Sequence, residues 1–279
     1  MLIAESGSTK TDWRAIDNTG KIEQFITKGF NPFHQKSEAI SEEIKLNLLP
    51  FLKTAVKQVH FYGAGCSSPS MCVIVESALN ECFQGAEIHV EHDLLAAARG
   101  LCGHEKGIAC ILGTGSNSCV FDGKNITANI PALGYILGDE GSGSYMGKRF
   151  LADYIIGLLP DKLAEDFSIK TGLDKAKIFE AVYMQPMPNR FLASFGKFLF
   201  QRIDDPYVMN LVRSSFVDFF DRYICRYEGY AELPVHFTGS IAFYFSKILN
   251  DVAAEKQVRI GRIVETPAAA LVLYHTNKD

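Results

Sequence analysis

The chain lacks a surplus of positive charge, a complete phosphate loop, a paired-cysteine motif and any apolar run long enough to cross a bilayer. Each absence closes a class of function. A formal net charge of −4 over 279 residues argues against nucleic acid or an anionic membrane as main partner, since both demand a clustered positive surface. No apolar run approaches the ~20 residues of a spanning helix. The N-terminus enters "MLIAESG" with neither a basic start nor a long apolar stretch, so no secretion signal is expected. The seven cysteines (Cys66, Cys72, Cys82, Cys102, Cys110, Cys119 and Cys225) are odd in number and show no C-x-x-C or C-x-x-x-H spacing. Most lie in apolar runs, where a thiol behaves as a small core residue. Neither a disulfide framework nor a zinc site is expected, and the cytoplasm is the expected location.

What is present is a large apolar fraction, 47 %, enough for a sizeable core in one large domain or two smaller ones. "MLIAES" and "DWRAID" read as strands around a loop, and "DNTG" turns the chain into a third strand, "KIEQFITKG". A helix from Ser37 is interrupted at Pro50. "VHFYGAG" reads as a short buried strand, "SMCVIVESALNECF" as a helix, and "AEIHVEHD" as a strand running into the helix "LLAAARGLC". After "GHEKG" the pattern restarts: "IACILGTGS" and "NSCVFDG" are strands around a Gly-rich turn, and "ITANIPALGYILGDEGSG" is a strand and loop. From Ser142 to about Gly229 the chain reads as helical and aromatic-rich. "PVHFTGS" and "VRIGRIVET" are strands, each followed by a helix, the last being "PAAALVLYH". The fold class is α/β, with mixed sheets in two domains of related plan, residues 1–107 and 108–279. The final helix, 267–279, is expected to pack back on the N-terminal domain.

Neither "AESGSTKTDW" nor "ILGTGSNS" has the G-x-x-x-x-G-K-[ST] spacing with which one loop wraps the phosphates of a nucleotide. A tight turn between antiparallel strands still exposes backbone N–H groups at its tip. Glycine lets the backbone approach a phosphate closely, and Ser or Thr adds hydroxyl donors. Two such turns facing across a cleft between domains would grip both sides of a polyphosphate. Each loop is then half of a nucleotide clamp.

These residues carry a resemblance. "ESGSTKTDW" and "ILGTGSNS" resemble the two phosphate motifs of the sugar kinase, heat-shock chaperone and actin superfamily, and "FTGSIA" resembles its adenosine motif. "VEHDLLAAARG" and "ETPAAALVLY" stand where its connecting helices begin. Within the superfamily, "GTGSN" together with "GDEGSG" is similar to the N-acetylglucosamine kinase and benzoyl-CoA reductase activator group. The resemblance covers nearly the whole chain in order. It implies an actin-like (ribonuclease H-like) ATPase fold and an ATP-dependent kinase phosphorylating the 6-hydroxyl of an amino sugar such as N-acetylglucosamine, with Mg²⁺. Alternative acceptors are glucosamine and N-acetylmuramic acid. Other classes are an ATPase activator, which needs a cysteine-held iron–sulfur cluster, and a sugar sensor without activity.

The resemblance assigns Gly7, Ser8, Thr9, Lys10, Thr11, Gly113, Thr114, Gly115 and Ser116 to the phosphates. It brings Gly239 and Ser240 close to the adenosine, and gives Glu5 a Mg²⁺-bound water where the family more often has Asp. Asn31, Asn117 and Asp139 are assigned to the sugar, with Glu140 supporting them or merely marking a helix start. Asp93 is the general base, needed because the attacking hydroxyl must lose its proton. An Asp ending a strand before a helix also reads as an ordinary N-cap. His92, pointing the other way by alternation, reads as structural. Some family members carry Trp ahead of the "GDEGS" motif. Leu133 stands here instead, with Tyr135 as a substitute aromatic face. The aromatic helices "RFLASFGKFLF" and "SSFVDFFDRY" have core spacing and are assigned to packing or to a homodimer surface.

Overall fold

The structure, a computed structural model, describes residues 1–7 and 10–276. The chain divides into two compact units: Met1–His104 with Gly123–Asn125 and the segment from Pro267 onward, and Glu105–Asp122 with Ile126–Thr266.

In the first unit, β1 (Leu2–Ser6), β2 (Lys10–Ile16) and β3 (Ile22–Lys28) form an antiparallel meander. After α1 (Ser37–Asn47) and a 3₁₀ turn holding Pro50, β4 (Gln58–Gly63) lies parallel to β1. Next come α2 (Pro69–Cys82), β5 (Glu87–His92) and α3 (Asp93–Cys102), and the sheet order is β3-β2-β1-β4-β5. Strand β1 is the centre of the sheet and is buried nearly throughout, which is why it opens with the apolar run Leu2-Ile3-Ala4. Strand β3 is the edge, and it alternates exposed and half-buried residues.

The second unit repeats this plan. β6 (Gly107–Leu112), β7 (Ser116–Phe121) and β8 (Ile126–Ala128) form the meander. Seven helices follow: α4 (Gly134–Leu137), α5 (Gly143–Ile155), α6 (Asp161–Thr171), α7 (Lys175–Tyr183), α8 (Pro188–Ala193), α9 (Gly196–Phe200) and α10 (Pro206–Arg222). Strand β9 (Val235–Thr238) joins β6 in parallel, then come α11 (Ser240–Tyr244), α12 (Ser246–Glu255) and β10 (Ile260–Val264), for an order β10-β9-β6-β7-β8. Counted from the central strand, both sheets have one topology. The one-turn helix α4 lies within a stretch that reads as loop from sequence. A final helix, α13 (Ala268–Thr276), packs on α3 and β1 of the first unit. Residues 277–279 of the expected last helix lie outside the described residues.

Each unit has its own core. In the first, Trp13, Phe30 and Phe61 meet with ring centroids 6.1–6.2 Å apart, and Trp13 Nε1 donates to Thr27 Oγ1 at 2.9 Å. In the second, Phe150, Phe167, Phe195, Phe198, Phe216, Phe219, Phe220 and Phe237 are buried together, the packing role read from the aromatic spacing. Helices α5 and α8 touch backbone to backbone at Gly147, where a Cβ would stand 1.9 Å from the Leu192 carbonyl oxygen. No helix among the described residues is long and apolar enough to cross a membrane.

Candidate active site

In the first unit the turn after β1 is closed by the Gly7 N–H, which donates to the Lys10 carbonyl at 3.0 Å. Ser8 and Thr9 lie outside the described residues. Lys10 is exposed at the start of β2. Thr11 is fully buried, in a directed chain of bonds: Phe30 N–H donates to Ser6 Oγ (2.9 Å), Ser6 Oγ meets Thr11 Oγ1 (2.8 Å), and Thr11 Oγ1 donates to the Lys28 carbonyl (2.9 Å). Its hydroxyl proton is spent inside the protein, so Thr11 braces the base of the turn. Glu5, half-buried on β1, pairs directly across the ladder with Asp12, which is gripped by Arg14 at 2.8 Å and by Gln24 at 2.9 Å. Among the described residues no group of three His, Cys, Asp or Glu side chains is arranged to hold a metal ion. A magnesium ion carried by nucleotide needs only one or two protein carboxylates, which Glu5 can supply.

Asn31 forms an Asx turn. Its Oδ1 accepts the Phe33 N–H at 3.0 Å, and its carbonyl accepts from His34 and Gln35. The same amide packs on Gly65, in the loop that leads from β4 to Cys66. Burial pushes the Cys66 thiol up to about 12, with Cys72 and Asp93 adding to the effect. Asn31, the Gly65–Cys66 loop and Asp93 are thereby neighbours.

Asp93 is not the cap of α3. The N-cap is His92, whose Nδ1 accepts the Leu95 N–H at 3.2 Å, and Asp93 is the first helical residue. His92 has the structural role read for it, and the Asp93 carboxyl lies against the N–H groups of the first turn, its own and that of Leu94. Burial raises the Asp93 carboxyl above the ordinary range, opposed by His92 and by the N–H groups of Leu94 and Asp93 itself.

The second unit assembles its candidates more tightly. Strands β6 and β7 are joined by the turn Gly113-Thr114-Gly115, with the Gly113 N–H donating to the Gly115 carbonyl at 3.0 Å. The carbonyls of Gly113 and Thr114 accept from Gly143 (2.8 Å) and Ser144 (3.1 Å), the first residues of α5. These bonds satisfy helix-terminal N–H groups and hold the turn against the helix start. Gly239 has φ +111° and packs so closely that a Cβ would lie 2.3 Å from the Leu112 carbonyl oxygen and 3.2 Å from Gly113 N. The two small-residue turns are in contact, with exposed Ser240 opening α11 beside them.

Asp139, at φ +60°, is buried against Gly115 and accepts the Ser116 N–H at 3.4 Å. Burial raises its pKa. The Ser116 N–H, Lys148 and the Ser144 hydroxyl oppose the rise, and Glu140 adds to it. Glu140 is a buried carboxylate. It accepts from Tyr223 OH at 3.0 Å and pairs with Arg222 at 3.0 Å, which makes it a structural anchor for the Asp139 loop. Asn117, next to Ser116 on β7, accepts at Oδ1 from Ser118 N–H (2.9 Å) and Asn129 Nδ2 (3.2 Å). Leu133 is 51 % exposed, and Tyr135 is half-buried with its carbonyl bonded to Lys148 Nζ at 2.7 Å.

Arg222, Tyr223, Ser144, Asn129 and Tyr227 escaped the sequence reading. Arg222 and Tyr223 end a helix whose visible signal is its phenylalanines, and no local pattern marks their reach to Glu140.

No protein-family model matches the chain, nor does any curated protein. Solved structures do. A candidate N-acetylglucosamine kinase from Porphyromonas gingivalis is 44 % identical, with a TM-score of 0.94 over 99 % of this chain and 98 % of that one. A second candidate N-acetylglucosamine kinase, from Chromobacterium violaceum, shares 19 % identity at a TM-score of 0.72, over 98 % of each chain. A ROK-family glucokinase from Streptomyces griseus, solved with glucose and AMPPNP, shares 15 % at 0.56, again over 98 % of each. The last two share the fold: two mixed five-stranded sheets flanked by helices, the actin-like α/β architecture.

Proposed function

The chain belongs to the sugar-kinase family of the Porphyromonas gingivalis protein, and from that premise we propose that it transfers the γ-phosphate of ATP to the 6-hydroxyl of an amino sugar, N-acetylglucosamine foremost. The observation that carries the proposal is the 44 % identity over nearly the full length of both chains. The packing of the Gly113–Ser116 turn, the Gly239 turn and Asp139 on one another supports it.

In this proposal the N–H groups of Thr114 and Gly115 meet phosphate oxygens of ATP, since the Gly113 N–H is held by the Gly115 carbonyl and the Ser116 N–H by Asp139, and Lys10 of the first unit adds charge. Gly239 and Ser240 border the adenosine. Glu5 would hold a water of ATP-bound Mg²⁺, which would supply charge neutralisation at the phosphates. Asn31, Asn117 and Asp139 bind the sugar hydroxyls, which require donors and acceptors in fixed directions. Asp93 takes the proton of the attacking hydroxyl. Its burial-raised basicity suits that work better than an exposed carboxylate would.

Asp93→Asn tests the assignment. Because His92 caps α3 and Asn keeps an oxygen for the first-turn N–H groups, the thermal midpoint should hold. Turnover should fall by roughly 10²-fold, the scale of a lost general base, with the Kd for ATP and sugar little changed. Near-normal turnover would move the base elsewhere, with Asp139 next to test. ADP release measured with N-acetylglucosamine, glucosamine and N-acetylmuramic acid identifies the acceptor. ADP release indifferent to every sugar would overturn the kinase assignment.

A further inference from the structure

Asn117 faces its ligand with a defined end. An asparagine amide has an acceptor oxygen and a donor nitrogen, and which of the two is presented decides what it recognises. The neighbours of Asn117 settle that choice. Its Oδ1 accepts the Ser118 N–H at 2.9 Å, and a backbone N–H can only donate. Asn129 supplies a second donor to the same oxygen at 3.2 Å. The orientation of Asn129 is also settled, because its Nδ2 lies 2.7 Å from the Ser118 carbonyl and 3.2 Å from the Ile130 carbonyl, which can only accept; its two hydrogens are shared among these carbonyls and Asn117 Oδ1. Tyr227 ties the same two residues together. Its hydroxyl donates to the Ser118 carbonyl at 2.9 Å, accepts from Ile130 N–H at 3.1 Å and meets Ser118 Oγ at 2.8 Å. Tyr227 is buried and the strand pairing of β6 with β7 runs through Ser118, so the frame behind Asn117 is rigid.

We propose that Asn129 is a positioning residue that holds the Asn117 side chain donor-first, so that Asn117 Nδ2 donates to an acceptor oxygen of the sugar, a hydroxyl or amide carbonyl. The proposal rests on Asn117 belonging to the acceptor site. Without Asn129 the oxygen keeps only the Ser118 N–H, and the donor-first side chain is held by one bond instead of two.

A double-mutant cycle in the full chain, with N-acetylglucosamine as the probe, separates this from a merely structural role. Asn129→Ala should raise the sugar Kd by about 5-fold, the scale of one hydrogen bond, while the Kd for ATP and the thermal midpoint hold. Combined with Asn117→Ala, it should add nothing further. An equal effect of Asn129→Ala with and without Asn117 would overturn the proposal, as would an unchanged Kd. Asn117→Ala without effect on sugar Kd would instead refute the assignment of Asn117 to the acceptor site, and the positioning role with it. If Asn129→Ala does not fold, Asn129→Ser keeps a donor and should give an intermediate Kd. An intermediate Kd in a folded Asn129→Ser that disappears in the Asn117→Ala background upholds the donor role, and an unchanged Kd, or a loss of affinity equal in both Asn117 backgrounds, refutes it.

Discussion

Acidification should loosen this protein well above the range in which its carboxylates titrate. Three imidazoles lie in stacked layers in the first unit: His60 of β4 is 4.8 Å from His89 of β5 and 3.9 Å from His275 of α13, centroid to centroid. Tyr62 OH bridges to His275 Nε2 at 2.8 Å while receiving a bond from Arg99, so His275 acts as an acceptor. Burial first, then His275, His89, Arg99 and the N-terminal amine, push His60 down to about 3. Burial, Arg99 and His89 push His275 down to about 4. In the second unit, burial with Arg262 and Arg259 takes His236 to about 4. Each is neutral in the folded chain and takes up a proton near pH 6.5 when unfolded. Their stability is therefore complete above pH 6.5 and is lost progressively as pH falls towards 4. At pH 5 each forfeits ~2 kcal/mol unscreened, and about 1 kcal/mol once halved for the part of each ring that solvent reaches. Together they cost about 3 kcal/mol, or roughly 5–10 °C in thermal midpoint. Calorimetry between pH 7.5 and 5 reads this directly. His60→Phe keeps a ring in the stack but cannot take a proton, so its midpoint should fall less steeply over the same range. A pH slope identical to that of the unsubstituted chain would refute the reasoning.

Two further outcomes follow from the packing around the candidate phosphate turns. Gly239→Ala forces a left-handed φ on a residue with a Cβ and drives that atom into the Leu112 carbonyl, so it should cost about 3 kcal/mol or more in urea unfolding and raise the ATP KM; unchanged stability would mean the two turns are not in contact. Thr11→Val keeps the shape but removes the shorter of two hydroxyl bonds to the Lys28 carbonyl and the partner of the Ser6 hydroxyl, which should cost about 1 kcal/mol or more while ATP affinity stays within about 2-fold. Lost ATP affinity at unchanged stability would return Thr11 to the phosphate-contacting residues.

The apolar segments "MLIAES" and "DWRAID" around a short loop, the Pro50 break, and the small-residue turns at Gly113 and Gly239 are local features, and the elements they mark stand where the sequence puts them. Local chemistry also implies a mixed sheet, because a short turn can only join antiparallel neighbours while the helix-connected strands lie parallel. The start of α3 shows where such reading stops. By spacing Asp93 reads as the cap, and only the folded strand end gives the Leu95 N–H to His92 instead.

The sequence by itself determined the order of elements, the duplicated meander and the identity of the small-residue turns, because each depends on residues within a few positions of one another. The tertiary structure decided which polar groups are already spent. Thr11 is consumed by Lys28 across the β2–β3 ladder, and Glu140 is anchored by Arg222 and Tyr223 from the far end of α10. The Asn117 oxygen is taken up by the Ser118 N–H and by Asn129 from beyond β8. A hydrogen bond has one donor and one acceptor in a fixed direction, and its partner is chosen by the packing of strands and helices that are distant in the chain.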